Sequence, residues 1–356
     1  MSNDIEFRKL EHLFVCNYCD VEYKKGTLLE DVELIHSGIS NCDLEDIDTS
    51  INLFGKNLGA PIIVAAITGG HSKAKEINKN IAIAIDELNL GMGVGSQRAA
   101  LINEELMETY SVVRDYTSSL VLGNLGAVNF IEDGWDEETI HKAVEMIDAD
   151  GMAIHFNPLQ EAIQPEGDYN FKGIEILKDI MENYNKTYNN KSNKKIPFIA
   201  KQVGEGFSKE DALLLNGLGF DSIDVGGSGG TSWAAVEYYR IKDEESKKFS
   251  KKYLEWGIPT AASILEVKQN FDKPIIATGG IRSGMDIAKS MAIGAQCCGV
   301  ALPVLKAALR GSEDVIKLIE NYIEELKTTM FLMGCDNVNE LMNSRYIIKN
   351  ELKEWI

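Results

Sequence analysis

A chain of 356 residues with 44% hydrophobic and 26% charged side chains can bury a sizeable core, which excludes an intrinsically disordered polymer. Its 36 basic and 55 acidic residues leave a formal charge of −19, which excludes a general attraction to nucleic acid or to an anionic membrane surface; any bound anion must be met by local cations. No apolar run reaches the roughly 20 residues of a membrane span, and the opening MSNDIEFRKLEH lacks the apolar core of a signal peptide, so a cytoplasmic protein is expected.

Residues 1 to 60 read as an N-terminal extension that caps the remainder of the chain. Within it, FRKLEH offers Arg8, Lys9 and His12 as anion ligands, although such a cluster is also the ordinary composition of a solvated helix face. CNYC places Cys16 and Cys19 upstream of His36 and Cys42. These four could hold zinc, but the second pair lacks tight ligand spacing, and packed thiols in a reducing compartment are the simpler reading.

From residue 61, short apolar runs alternate with amphipathic stretches such as KEINKNIAIAIDEL. The strand-like runs are PIIVAAITGG (61 to 70), LGMGVGSQR (90 to 98), SLVLGNLGA (119 to 127), DGMAIHFN (150 to 157), PFIAKQVG (197 to 204), FDSIDVGG (220 to 227), KPIIATGG (273 to 280) and QCCGVALP (296 to 303). Continuous apolar strands alternating with helices predict a parallel sheet covered by helices. Eight units predict an α/β fold, a (β/α)₈ TIM barrel over 61 to 330 followed by a helical tail over 331 to 356. An open doubly wound sheet competes, but it would concentrate ligand groups at one crevice, whereas here most strands end in Gly, Asn, Gln, Arg or Lys. NYNKTYNNKSNKK (183 to 195) is expected as a mobile tip on the barrel's bottom face, and residues 234 to 256, dense in both charge signs, as a solvated helix on a long loop.

The loops after strands seven and eight carry TGGIRSGMD and GVALPVL. Glycine admits a phosphate close to the backbone, so Gly279, Gly280 and Arg282, with the backbone of Ala301 and Leu302, are expected to hold a terminal phosphate. DVGGSGGTSW adds a third glycine-rich loop with Thr231 as a hydroxyl donor. Lys201 ends the fifth strand and is either a Schiff-base nucleophile or the cation beside an electron-rich ring. The second suits a phosphate-bearing cofactor, and Asn124 and Thr68 could reach the ring edges and complete a flavin mononucleotide (FMN) pocket. A second anion-binding set comprises Arg8, Lys9, His12, Ser96 and Arg98.

Taken together, RKLEH, ITGG, GVGSQR, GNLGA, HFNPLQEAIQPEGD, AKQVG, GGSGGTSW, GGIRSG and VALP resemble the type 2 isopentenyl-diphosphate isomerases, in order from Arg8 to about Pro303. The resemblance implies an FMN barrel that interconverts isopentenyl and dimethylallyl diphosphate, requires Mg²⁺, works with reduced flavin supplied by NADPH, and assembles into tetramers or octamers. It implies that Arg8, Lys9, His12, Ser96 and Arg98 grip the diphosphate and that His155, Asn157 and Gln160 line the substrate. It further implies that Glu161 binds Mg²⁺ and that His155, Gln160 and Lys201 serve the chemistry. Thr68, Gly69, Gly70, Ser96, Asn124, Lys201, Thr231, Gly280, Arg282, Ala301 and Leu302 would contact FMN. Some relatives carry serine where this chain has Gly226, so a hydroxyl contact there is lost or replaced by Ser228. Gln164, Glu166 and Asp168 receive no role.

Two other classes stand beside this one. A flavin 2-hydroxy-acid oxidase would need a histidine base and an arginine pair near the end of the barrel; the motif loops directly after strands six to eight carry one arginine, Arg282, and no histidine follows His155. A non-catalytic phosphate-binding barrel would leave HFNPLQEAIQPEGD without a task.

Overall fold

The computed structural model describes residues 2–189 and 195–356. Its centre is a closed parallel barrel of eight strands: β1 (Ile62–Val64), β2 (Gly91–Gly93), β3 (Leu120–Gly126), β4 (Gly151–Phe156), β5 (Phe198–Gln202), β6 (Ser222–Asp224), β7 (Ile275–Thr278) and β8 (Cys297–Val300). Neighbours follow chain order, and β8 pairs with β1 to close the ring. The open-sheet alternative is thereby excluded. The strands are buried and mostly apolar because both faces are covered, the inner by other strands and the outer by helices; their polar residues, such as Asn124, His155, Lys201 and Asp224, cluster toward the C-terminal ends.

The chain before β1 occupies both ends of the barrel. A hairpin, Ile51–Leu53 paired with Lys56–Leu58, turns through Phe54 and Gly55, both at positive φ. Leu53 and Leu58 pack against Ile63, Leu120, Ile199 and Ile276, which closes the bottom with a small apolar core. Each such side chain contributes about 1.5–3 kcal/mol when fully buried. At the opposite end the helix Ser2–Tyr18 lies by the mouth, where the His12 ring meets Trp233 edge to face with centroids 5.2 Å apart.

The chain ends also meet. Val32–Leu34 pairs antiparallel with Tyr346–Ile348, and buried Asp31 accepts hydrogen bonds from Asn350 Nδ2 (2.8 Å) and the Leu352 N–H (3.2 Å). The C-terminal segment is therefore not wholly helical as expected: its strand exists because residues 32 to 34 offer a partner, which no local pattern reveals.

Two other expectations need revision. Of the tip at 183–195, residues 190–194 lie outside the described residues, and the chain up to Asn189 continues as one helical turn, Asn185–Asn189. The stretch 234–256 is not uniformly solvated. Glu244–Ser250 is a mostly exposed helix, but Trp233–Arg240 is buried on one face beneath the N-terminal helix. Its charges are tolerated there because Glu237 and Arg240 neutralise one another.

Candidate active site

The strand C-termini open into a cleft with about 1610 Å³ of empty space, its mouth included. Of the residues expected at the site, Arg8, Lys9, His12, Thr68, Ser96, Arg98, Asn124, His155, Asn157, Gln160, Glu161, Lys201, Thr231, Gly279, Gly280, Arg282, Ala301 and Leu302 all line it. Gly69 and Gly70 do not. Both are tightly packed: a Cβ at Gly69 would come within 2.0 Å of the Tyr110 ring, and the Gly70 N–H donates to Thr109 Oγ1 at 2.8 Å.

The glycine loops interlock. A Cβ on Gly279, whose φ is +109°, would meet the Gly227 carbonyl at 2.1 Å, and one on Gly230 would meet the Gly280 nitrogen at 2.3 Å. Only glycine lets the loops after β6 and β7 touch and present bare backbone to the cleft. Arg282 stands beside them, held by Glu22 through Nε at 3.1 Å. Thr278 Oγ1 is buried in the cleft wall with no protein partner. A serine at position 226 would not fit this backbone, since a Cβ there would lie 1.9 Å from the Gln202 carbonyl. Nor does Ser228 substitute for it: its buried hydroxyl lies outside the cleft lining, next to Gly257.

On the neighbouring strands, register places His155 beside Lys201 and Lys201 beside Asp224. Lys201 Nζ donates to Asp224 Oδ2 at 2.7 Å and to the Gln202 carbonyl at 3.3 Å. The Asn124 amide donates to the Val94 carbonyl at 3.2 Å, so its oxygen faces His155 Nδ1 at 2.9 Å and that nitrogen carries the proton. Burial, then the charges of Lys9 and Lys201, lower the His155 pKa to about 3. At neutral pH the ring is uncharged: it can shape the site and accept a hydrogen bond, but it is not an imidazolium acid.

The HFNPLQEAIQPEGD segment follows β4, with Pro158 opening the short helix Pro158–Ile163. Glu161, only 7% exposed, accepts from Asn157 Nδ2 at 2.7 Å, from the Asp168 N–H at 2.9 Å and from Gln164 Nε2. Burial raises its pKa, partly offset by the Asp168 and Asn157 hydrogen bonds. Asp168 also holds Arg98 at 2.8 Å, which Asp133 grips from the other side at 3.1 Å. Glu166 pairs with Arg240 at 2.7 Å and approaches Arg8 at 3.8 Å. The three residues without a role thus position Glu161 and the arginines.

Sequence reading missed one group of importance. Glu237 has a fully buried side chain that meets His12 Nε2 at 2.9 Å, accepts from Gln160 Nε2 at 3.0 Å, and pairs with Arg240. Burial alone would raise its pKa, but the hydrogen bond and charge of His12, then Arg240 and Gln160, hold it down at about 2. The available signal was Glu237 and Arg240 three apart, behind the apolar Ala234, Ala235 and Val236.

Among the described residues no group of three His, Cys, Asp or Glu side chains is arranged to hold a metal, so Cys16, Cys19, His36 and Cys42 form no zinc site; all six thiols are free.

A closed barrel with a glycine phosphate cradle after its last strands defines a class, and residues 160–349 match the FMN-dependent dehydrogenase family model. In fold the chain is similar to a flavocytochrome b2 variant (TM-score 0.66, 17% identity, 96% of this chain and 84% of that one) and to a mandelate oxidase variant (TM-score 0.63, 16% identity, 98% of each chain). In sequence it is 74% identical to the isopentenyl-diphosphate delta-isomerase of Methanococcus maripaludis over 99% of this chain and 98% of the relative. Identity is 66% with that of Methanocaldococcus jannaschii, over 99% and 97%, and 47% with that of Archaeoglobus fulgidus, over 98% and 97%. The chain belongs to the isopentenyl-diphosphate delta-isomerase family, in its flavin-dependent type.

Proposed function

We propose that this protein interconverts isopentenyl diphosphate and dimethylallyl diphosphate, with FMN held at the barrel mouth. One observation carries the reading: a single cleft holds two separate anion-binding sets, the glycine cradle with Arg282 on one side and Arg8, Lys9 and Arg98 on another. The first fits a cofactor phosphate and the second a substrate diphosphate. The interlocked glycines and the unpartnered Thr278 hydroxyl fit FMN, and the loops after β6, β7 and β8 would hold its phosphate through Thr231, Gly280, Arg282, Ala301 and Leu302. Ser96, Asn124 and Lys201 would meet the rest of the cofactor, with Thr68.

Moving a double bond requires protonation of a terminal methylene carbon and removal of a proton from the neighbouring methylene, with no net electron transfer. An unactivated alkene is a weak base, so it must be placed close to its acid and shielded from water. Bound reduced FMN supplies an electron-rich ring that exchanges protons beside a developing cation. Arg8, Lys9, Ser96 and Arg98 fix the diphosphate and so aim the hydrocarbon tail. The diphosphate would take Arg98 from Asp168, a carboxylate already resting on the anion site. Uncharged His155, with Asn157 and Gln160, lines the tail without placing a competing cation beside it. Glu237 locks Gln160 and His12 in place. The His12–Trp233 contact shields the mouth.

The unpartnered Asn157 Oδ1 and the Glu161 carboxylate are hard oxygen donors that would hold Mg²⁺, which would supply positive charge to neutralise the diphosphate. Reducing equivalents come from an external donor, with NADPH the one the family resemblance implies. The exposed Phe7, Phe14 and Tyr18 of the N-terminal helix support self-association, and the family resemblance implies that it would take the form of a tetramer or octamer. Free thiols support a cytoplasmic location, and among the described residues no helix is long and apolar enough to cross a membrane.

The test is anaerobic incubation of the holoprotein with reduced FMN, Mg²⁺ and isopentenyl diphosphate. Dimethylallyl diphosphate is the expected product. No product, together with flavin reduction by a 2-hydroxy acid, would replace the isomerase reading with the oxidase one.

Lys9 gives a pH signature. Burial, then the Arg8 charge, lowers its pKa to about 8, so it is charged below that pH and loses its proton above. Diphosphate binding then requires proton uptake, and KM is expected to rise up to about tenfold per pH unit above about 8. Lys9→Arg, which stays charged, removes that rise; an identical KM profile in the variant would show that Lys9 does not meet the diphosphate.

A further inference from the structure

We propose that Asp224 is a positioning and charge-balancing residue that sets, through Lys201, how strongly the site favours reduced over oxidised FMN. This rests on the proposed function, in which Lys201 faces the flavin ring.

The register holds Lys201 between His155 on β4 and Asp224 on β6, all at the same level of the barrel. Of the three protons on the Lys201 ammonium, one goes to Asp224 Oδ2 at 2.7 Å and one to the Gln202 carbonyl at 3.3 Å. One is left for the cleft that Lys201 lines. Asp224 is itself fixed, accepting from the Gly226 N–H at 3.3 Å through its other oxygen. Its carboxylate therefore dictates where the ammonium sits.

Charge follows from the same geometry. Lys201 is 7% exposed and Asp224 3%, so water screens neither well. Beneath them lie Ile63, Leu122, Ile199 and Ile276, an apolar floor that adds no charge. His155 on the other side is uncharged at neutral pH. Asp224 is thus the near counter-charge to Lys201, and the pair offers the cleft a nearly neutral hydrogen-bond donor instead of a bare cation. An uncompensated lysine would favour the anionic reduced ring more strongly. It would also make that ring a poorer proton acceptor, which acid/base chemistry without net electron transfer does not want. Asp224 sets this balance from a position that touches neither ligand, because β6 places it behind Lys201.

Asp224→Asn removes the charge while its amide oxygen still accepts from Lys201, losing only the long hydrogen bond from Gly226. The midpoint potential of bound FMN, measured anaerobically against a reference dye, is expected to rise. The preference for reduced over oxidised FMN should increase by tenfold or more, about 30 mV for a two-electron couple. Lys201→Met should lower the potential. If Lys201→Met shifts it and Asp224→Asn does not, the charge-balancing role is overturned while the placement of Lys201 stands. If neither variant shifts it, Lys201 does not face the ring and both ideas fall. Asp224→Ser, smaller but still an acceptor, serves as a second variant; if neither Asp224 variant folds and retains FMN, Asp224 is a folding group and the proposal is overturned.

Discussion

Glu161→Gln is expected to lower the isomerisation rate by about 10²–10³-fold and to leave the remaining rate insensitive to added Mg²⁺. A metal that neutralises a diphosphate and orients it is worth several kcal/mol, at about 1.36 kcal/mol per tenfold in rate. The carboxylate is held between the Asn157 amide, the Gln164 amide and the Asp168 N–H, all donors. An amide at position 161 would turn its own NH₂ toward one of them, costing about 1–3 kcal/mol of stability. Fold and function therefore separate: a small change in Tm with a large change in rate. Because burial raises the Glu161 pKa, Mg²⁺ affinity in the native protein should start to fall at a pH above the ordinary carboxylate range. Initial rates titrated with Mg²⁺ at several pH values test both points, and a normal Mg²⁺ dependence in Glu161→Gln would remove the metal assignment.

Glu237→Ala should damage stability and activity together. Removing the fully buried carboxylate leaves Arg240 and His12 without their central partner. Breaking a buried charge cluster in this way costs about 3–5 kcal/mol. With roughly 2.1 cal/mol/K of unfolding entropy per residue, Tm should fall by about 4–7 °C. The sign of the pH effect is fixed as well. The Glu237 pKa is lowered to about 2 from an ordinary 4.5, so its stabilisation, on the order of 3 kcal/mol, is full above the unfolded value and lost as pH falls toward 2. The variant should show a shallower acid destabilisation than the native chain. Its rate should also drop about 10²-fold, because Gln160 and His12 lose the group that aims them. Thermal melts across pH and steady-state rates read the two effects separately. An unchanged Tm would mean that the cluster is not the keystone its burial indicates.

The two experiments probe different ends of one segment. HFNPLQEAIQPEGD places Glu161 where the proposed Mg²⁺ would sit and Gln160 against Glu237, while Asp168 and Glu166 hold Arg98 and Arg8. In the proposed site a substrate diphosphate would exchange with these carboxylates on the arginines, which would otherwise mask the cations in a chain of formal charge −19.

Local pattern was enough to read eight strands, their polarity, the helices between them and the polar groups at each strand end. The physical reason is that a parallel barrel writes itself as continuous apolar runs of fixed direction, and ligand groups can only come after them. The glycine loops were legible too, since close backbone approach requires residues without a Cβ, as Gly227, Gly230 and Gly279 show. Tertiary structure alone decided the partners. Glu237 looked like one charge among many in a polar stretch until the N-terminal helix, some 225 residues away in sequence, brought His12 onto it. The strand at Tyr346–Ile348 awaited Val32–Leu34. Gly69 and Gly70, written like cofactor glycines, pack so closely on Tyr110 that neither has room for a side chain. Composition and periodicity determine what a segment can become, but contacts between distant segments determine which charges are buried, and burial decides whether a charge is solvated, paired or put to use.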